Sequence, residues 1–157
     1  MALLIDRVLN VAALLVVVSV TFGAWLQLSP SLLRFSGPVY AEVQQSVLNT
    51  LKRFMPFVLL IALVTSVLDV ILDSGVGGGE FDFTLAAFVF FLAFLAITVK
   101  YELPINAEIE HWTPSTPPAD WDVKRQRWER WQTVRAWLSV AALGCLIGSL
   151  FVATGHH

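Results

Sequence analysis

The stretch VLNVAALLVVVSVTFGAWLQL, residues 8–28, decides the fold of this chain because it contains no charged residue. An α-helix needs about 20 mostly apolar residues to cross the hydrocarbon core of a bilayer. The apolar core of a cleaved signal peptide is shorter, about 7–15 residues. We therefore expect residues 8–28 to form a retained transmembrane helix.

Three further apolar stretches have a length suited to a membrane span, namely residues 54–72, 83–99 and 136–153. Hydrophobic residues make up 57% of the 157-residue chain and charged residues only 14%, whereas soluble domains carry about 25% charged residues. A chain of this length forms one domain as a rule. The predicted fold class is all-α, a single-domain integral membrane four-helix bundle embedded in the lipid bilayer.

The basic residues are distributed unequally between the two sides of such a bundle. Nine of the ten lysines and arginines fall in the connections 29–53 and 100–135, and the exception is Arg7. Cytoplasmic loops of membrane proteins carry an excess of Lys and Arg. We therefore expect both connections to lie in the cytoplasm and both termini to lie outside, in a multi-pass protein of the inner (cytoplasmic) membrane.

Prolines in the two connections predict long helices, because proline suits the first turn of a helix. The segment 38–72 begins at the last proline of its connection, and the segment 119–153 begins directly after the last proline of the other. At 1.5 Å per residue each would be about 52 Å long, well beyond a hydrocarbon core of about 30 Å. We expect the second and fourth helices to extend into the cytoplasm, and the third to end before Pro104.

The basic stretch DWDVKRQRWERWQTVRAW, residues 120–137, enters the fourth span and has a helical pattern. Trp121, Arg125, Trp128, Gln132 and Arg135 fall within a stripe about 80° wide at 100° per residue. Tryptophan faces attract guanidinium groups, so we expect the two arginines to stack on the two tryptophans. An interfacial belt of Trp and Arg is the simpler reading, but it accounts poorly for Trp121, which lies far from the membrane.

The third connection also supplies polar side chains that could serve a site beside this stripe. Asn106 can donate and accept hydrogen bonds, and His111 is the only histidine before the C-terminal pair. An imidazole has an unperturbed pKa near 6.5 and can act as a base at neutral pH. One histidine near Glu108 and Glu110 does not define a metal site, so we predict no metal and no cofactor.

Acidic residues mark the opposite end of the bundle. The loop DSGVGGGEFD, residues 73–82, is rich in glycine, and we expect its carboxylates to be solvated. Asp69 precedes this loop by about one helical turn. Intramembrane carboxylates are candidates for function, but we expect this one to reach water at the end of its helix.

Three motifs in the third connection resemble a known family. PINAEIEHW (residues 104–112), PPADW (117–121) and RWERWQTVR (127–135) are similar to the signature of the anthrone oxygenase-like family of small four-helix membrane proteins, many of which have no assigned function. FGAWLQLSPSL, residues 22–32, is similar to the Gly and Pro that follow the family's first helix. Gln132 departs from the pattern, which has a histidine there.

The resemblance implies cofactor-independent oxidation of a flat aromatic polyketide or phenol by dioxygen at the cytoplasmic mouth. Such a reaction needs a base, cations to hold an anion, and aromatic walls. The candidates for catalysis are His111, Asn106, Arg125 and Arg135. The candidates for substrate binding are Trp112, Trp121, Trp128 and Gln132. We expect Asn106, His111, Arg125, Trp128 and Arg135 to line one cavity, with Arg34 or Tyr40 closing it.

A different class of function is also open. A non-catalytic membrane subunit could use the basic mouth to dock anionic lipid, which favours basic clusters on the cytoplasmic face, or a partner protein. Binding of haem within the bundle is disfavoured, because no span contains a histidine. No motif indicates a nucleic-acid partner, and the sequence is compatible with a homo-oligomer. Salt-dependent vesicle binding would distinguish docking from oxygenation.

Overall fold

A computed structural model of the chain describes residues 2–75 and 78–154, and these residues are almost entirely helical. The elements are α1 (Ala2–Gln27), α2 (Ser29–Leu32), α3 (Gly37–Asp73), α4 (Gly78–Ile97), a π-helical turn (Thr98–Glu102), α5 (Leu103–Glu110) and α6 (Trp121–Thr154). Residues 155–157, where the outer location of the C-terminus was predicted, lie outside the described residues. The predicted all-α class is confirmed.

Four helical stretches are long and apolar enough to cross a membrane: Ile5–Leu32, Gly37–Asp73, Gly78–Glu110 and Trp121–Ala153. They form a bundle in which α1 packs against α3 and α6, while α4 packs against the same two helices. The core between them is apolar and contains Leu14, Val17, Phe91 and Phe94, each almost fully buried. The apolar stretches therefore build one bundle, as predicted.

The second and fourth long helices have the predicted extent. α3 contains 37 residues and runs through Pro56 without a break, and α6 contains 34 residues. At 1.5 Å per residue both are about 50–55 Å long. The helix predicted for residues 119–135 is confirmed from Trp121 onward, and it continues directly into the fourth span.

The third span does not end before Pro104, so that prediction is wrong. The π turn follows α4 directly, and the N–H of Leu103, the first residue of α5, donates to the Thr98 carbonyl. Pro104 then occupies the first turn of α5. Proline has no backbone N–H. The change from α to π spacing before Pro104 therefore leaves no N–H at that position without a partner. The third helix therefore continues to Glu110, and three helices extend beyond their apolar parts.

The end of the bundle opposite the basic connections is held by buried polar contacts. The Arg7 guanidinium donates to the Asp73 carboxylate at 2.6 Å and also pairs with Glu80. The Asn10 amide donates to Asp69 at 2.5 Å, and Asp69 is only 1% exposed. The expectation that these carboxylates reach water is wrong for Asp69, Asp73 and Glu80, because polar side chains of α1 enclose them. Asp82, in contrast, is exposed as expected.

Candidate functional site

A cavity of about 220 Å³ lies where the long helices meet near the basic end of the bundle. Ligand pockets in proteins are commonly larger, about 300–1,000 Å³, so this one suits a small ligand. Side chains of α1, α3, the π turn, α5 and α6 line it, and half of the lining residues are apolar. The lining residues that carry polar side chains are Thr21, Gln44, Lys52, Thr98, Glu102, Asn106, Glu110, Trp128, Gln132 and Arg135.

An ion pair between Glu102 and Arg135 forms the charged wall of the cavity. The Arg135 Nη1 lies 3.0 Å from a Glu102 carboxylate oxygen, and the two side chains are 11% and 1% exposed. Arg135 therefore points into the bundle and pairs with a carboxylate there. Its guanidinium carbon lies 4.9 Å from the ring centre of Phe94, so the predicted stacking of Arg135 on tryptophan is wrong.

Asn106 and Trp128 form a second polar contact in the same cavity. The Trp128 indole N–H donates to the Asn106 side-chain oxygen at 2.9 Å, and Trp128 is 7% exposed. The contact joins α5 to α6, because Asn106 is on the former and Trp128 on the latter. It holds the indole in place at the wall of the cavity.

Gln132 connects the cavity to the first helix. Its side-chain N–H donates to the Thr21 carbonyl at 2.9 Å, and Gln132 is 4% exposed. The Thr21 hydroxyl lies 3.0 Å from the hydroxyl of Ser139. Ser139 follows Gln132 on α6 by about two helical turns. Thr21 therefore presents both its backbone and its side chain to α6, and the position where the family pattern has a histidine lies in the cavity.

Arg125, Trp112 and Trp121 lie outside the cavity, in a neighbouring aromatic cluster around Tyr40. Arg125 donates to the backbone carbonyls of Leu32 and Leu33 at 3.0 and 3.2 Å. Its guanidinium carbon lies 5.0 Å from the ring centre of Trp121, so it stacks on this ring as predicted. These carbonyls lie at the end of α2, where the Leu32 carbonyl also accepts from the Phe35 backbone N–H at 3.3 Å. Arg125 therefore anchors α2 to α6, and the expectation that it lines the cavity is wrong.

His111 does not join the cavity either. It is exposed at the end of α5, and its Nδ1 lies 2.7 Å from the Ala107 carbonyl. Arg34 is exposed as well, whereas Tyr40 is fully buried in the aromatic cluster. The prediction that one cavity collects all five candidates is wrong for His111 and Arg125, and it holds for Asn106, Trp128 and Arg135.

Sequence reasoning missed two buried residues in the cavity, Glu102 and Gln44. Glu102 was assigned to a linker because Pro104 was expected to stop the helix. Gln44 lies on the extended part of α3 and is 0% exposed. A signal for Glu102 existed, because Arg135 lies at the start of the fourth span, and a guanidinium that is buried there requires a charged partner.

The geometry gives the cavity two carboxylates, a guanidinium, an ammonium group, three amides and an indole among apolar side chains. In the described parts of the chain, no group of three or more His, Cys, Asp or Glu side chains could hold a metal ion. A family profile described as anthrone oxygenase matches residues 44–145, more than half of the chain. The chain belongs to the anthrone oxygenase family. Neither a curated protein nor a solved structure matches it significantly.

The matched range begins at Gln44 and ends at Cys145, so it spans α3 to α6 and includes the three motifs that carried the resemblance. The anthrone oxygenase profile thus covers every cavity residue except Leu28 and those on α1. The similar segment at residues 22–32 lies outside the matched range.

Proposed function

We propose that the cavity binds a small flat aromatic substrate and oxygenates it with dioxygen, without a cofactor. The observation that carries the proposal is the buried Glu102–Arg135 pair in an apolar cavity of a chain that belongs to the anthrone oxygenase family. The carboxylate is the candidate base, the guanidinium the candidate anion holder, and the Trp128 indole the candidate ring platform.

The proposed reaction starts at an acidic methylene between two rings, as in an anthrone. Glu102 removes one proton, and the electron pair of the broken C–H bond spreads onto the ring oxygen as a phenolate. Arg135 stabilises that anion, as fixed cations do where charge develops. The anion gives electrons to dioxygen and forms a carbon–oxygen bond, and the proton on Glu102 returns to the peroxide. Loss of water then leaves a carbonyl, so one oxygen atom enters the product.

The proposal is tested by oxygen uptake of the purified protein with emodin anthrone, after subtraction of uncatalysed oxidation. Glu102→Gln keeps the size of the side chain but removes its basicity. We expect the turnover rate to fall by about 100-fold or more, since a positioned base contributes about 10²–10⁴-fold. The matched control is Glu108→Gln on α5, an exposed carboxylate that pairs with Lys124 at 2.6 Å.

Two results would contradict this assignment. Equal turnover by Glu102→Gln and Glu108→Gln would remove Glu102 from the reaction. Loss of turnover in His111→Ala, with turnover kept in Glu102→Gln, would transfer the role of base to His111 and move the reaction out of the cavity.

A lipid-docking function is the second candidate, and exposed basic residues favour it. Arg34, Arg53, Arg127 and Arg130 are exposed and belong to the two basic connections. Clusters of this kind attract anionic headgroups. If docking is the function, replacing these residues weakens binding to anionic vesicles in a salt-dependent way, while Glu102→Gln has no effect on it.

The orientation in the membrane is likewise a proposal. We infer that the basic end, with the cavity near it, lies in the cytoplasm, and that the end held by Arg7, Asp73 and Glu80 lies outside. The asymmetry of nine basic residues against one supports this orientation, because cytoplasmic segments carry the excess of Lys and Arg. The extended parts of the helices would then project into the cytoplasm.

A further inference from the structure

Unpaired polar atoms are concentrated around the cavity. Ten buried side-chain nitrogen and oxygen atoms lack a hydrogen-bond partner in the described parts of the chain. Five of them belong to the cavity residues Gln44, Glu102 and Arg135. Most buried polar atoms in proteins are paired, and each exception calls for an explanation. A cavity that leaves polar atoms unpaired when empty is suited to a ligand that pairs them.

Gln44 is the clearest case among these residues. Its side chain is 0% exposed, and both its amide oxygen and its amide nitrogen are unpaired. Glu102 and Arg135 at least pair with each other, whereas Gln44 has no such neighbour among the described residues. Leaving a buried donor or acceptor unpaired is costly for the folded protein.

The neighbouring residue Gln45 shows what a structural glutamine does in this helix. Its side-chain nitrogen donates to the carbonyls of Ile109 and Trp112 at 2.8 and 2.9 Å. Gln45 thereby ties α3 to the end of α5. Gln44 makes no contact of this kind, although it has the same side chain and a more buried position, so joining helices does not account for it.

We propose that Gln44 binds the polar edge of the ligand, and that this edge carries a hydrogen-bond donor directly beside an acceptor. The inference rests on the proposed function for the existence of an aromatic ligand in this cavity. A primary amide offers an acceptor oxygen and a donor N–H side by side. Its complement on a flat ring system is a hydroxyl beside a carbonyl, two adjacent hydroxyls, or a lactam. Gln44 is therefore a specificity-determining residue.

Binding of an inert probe tests this role without any turnover. Phenanthridin-6-one is a flat tricyclic lactam with an N–H beside a carbonyl, and its N-methyl derivative lacks the donor. We expect calorimetry to show that the wild-type protein binds the lactam about tenfold or more tightly than the N-methyl compound. In Gln44→Leu, which keeps a similar side-chain volume, the two compounds should bind equally, because the amide that distinguishes them is absent. If the methyl group acted only by its size, the difference in affinity would persist in this variant.

Thermal melting of the ligand-free protein provides the matched control. Gln44→Leu should leave the melting temperature unchanged or raise it, because the wild-type amide is unpaired. Gln45→Leu should lower the melting temperature, because it leaves two carbonyls without their donor. A drop in Gln44→Leu as large as that in Gln45→Leu would show that the Gln44 amide already has a partner, and it would overturn the inference.

The outcomes separate this inference from the oxygenase proposal. In one outcome, the wild-type protein binds the two lactams with different affinities that become equal in Gln44→Leu, and yet it consumes no oxygen with an anthrone. That result supports the inference and refutes oxygenation. Oxygen uptake that depends on Glu102, with equal binding of both lactams by the wild-type protein, supports oxygenation and overturns the role of Gln44.

Discussion

Glu102 and Arg135 bring two charges out of water at one point of the bundle, and this is costly for a folded protein. Their attraction offsets that cost only when the geometry is good and the remaining atoms are hydrogen-bonded. The second carboxylate oxygen of Glu102, Oε1, and the Arg135 Nε have no partner among the described residues. Apolar residues of similar size would pack there at lower cost, so the pair is better explained by chemistry than by stability.

Gln132 gives a prediction at this same residue scale. A histidine there can donate one ring N–H to the Thr21 carbonyl, as the glutamine now does at 2.9 Å. The other ring nitrogen is then an acceptor that faces the cavity. We expect Gln132→His to raise the turnover rate with emodin anthrone about tenfold or more near neutral pH, because a second base becomes available.

Oxygen uptake with equal protein amounts measures this change, and circular dichroism checks that the helical content is retained. Should the wild-type protein and Gln132→His both fail to consume oxygen with any anthrone, the oxygenase proposal is refuted for this chain.

At the scale of the elements, the close approach of α3 to the start of α6 depends on a glycine. A methyl group built on Gly37 would lie 2.9 Å from Pro117 Cγ and from a ring carbon of Trp121. Trp121 cannot easily move, since Arg125 and Tyr40 pack against it. We expect Gly37→Ala to lower the free energy of unfolding by about 1–3 kcal/mol, the usual cost of overpacking.

Gly23 is the matched control for that substitution. It lies within α1, and a methyl group built on it meets no atom within 4 Å. Gly23→Ala should stabilise the protein by about 0.5–1 kcal/mol, because glycine is a poor helix former. Both effects can be measured as shifts in denaturant-induced unfolding in detergent, and equal shifts would contradict the packing described for Gly37.

Periodicity and composition were sufficient to predict most elements but not the junction between α4 and α5. The long apolar runs predicted the four spans, and the positions of Pro38 and Pro118 predicted where two helices begin. Pro104 misled because the local rule for proline treats it as a helix stop. The π turn before it let the helix continue, and such a turn has no sequence signal comparable to an apolar run.

For the whole molecule, the division of charge predicts the orientation in the membrane. A reporter that is active only outside the cytoplasm should be active when it is fused after residue 154. The same reporter should be inactive when it is inserted within residues 113–119. A reporter that needs the cytoplasm should show the reverse pattern. Activity of the cytoplasmic reporter at the C-terminus would contradict the proposed orientation.

The candidate site was predictable from sequence only in part, and the reason lies at this largest scale. A helical stripe shows which side chains share a face of α6, and that face is buried at Arg125, Trp128, Gln132 and Arg135. It does not show which neighbour each residue meets along about 22 Å of helix. Near its start the stripe meets α2, and only further on does it meet the cavity.

The π turn has a consequence for how this chain tolerates insertions and deletions. A π turn is an α-helix with one added residue, and such turns often occur at functional sites. Val99 lies within this turn and is 64% exposed, so its deletion would remove little packing. Its deletion would convert the π turn into an ordinary α-helical turn, so Glu102 and Asn106 would keep their places in the cavity. The same deletion one turn further along the helix would rotate everything that follows by about 100°.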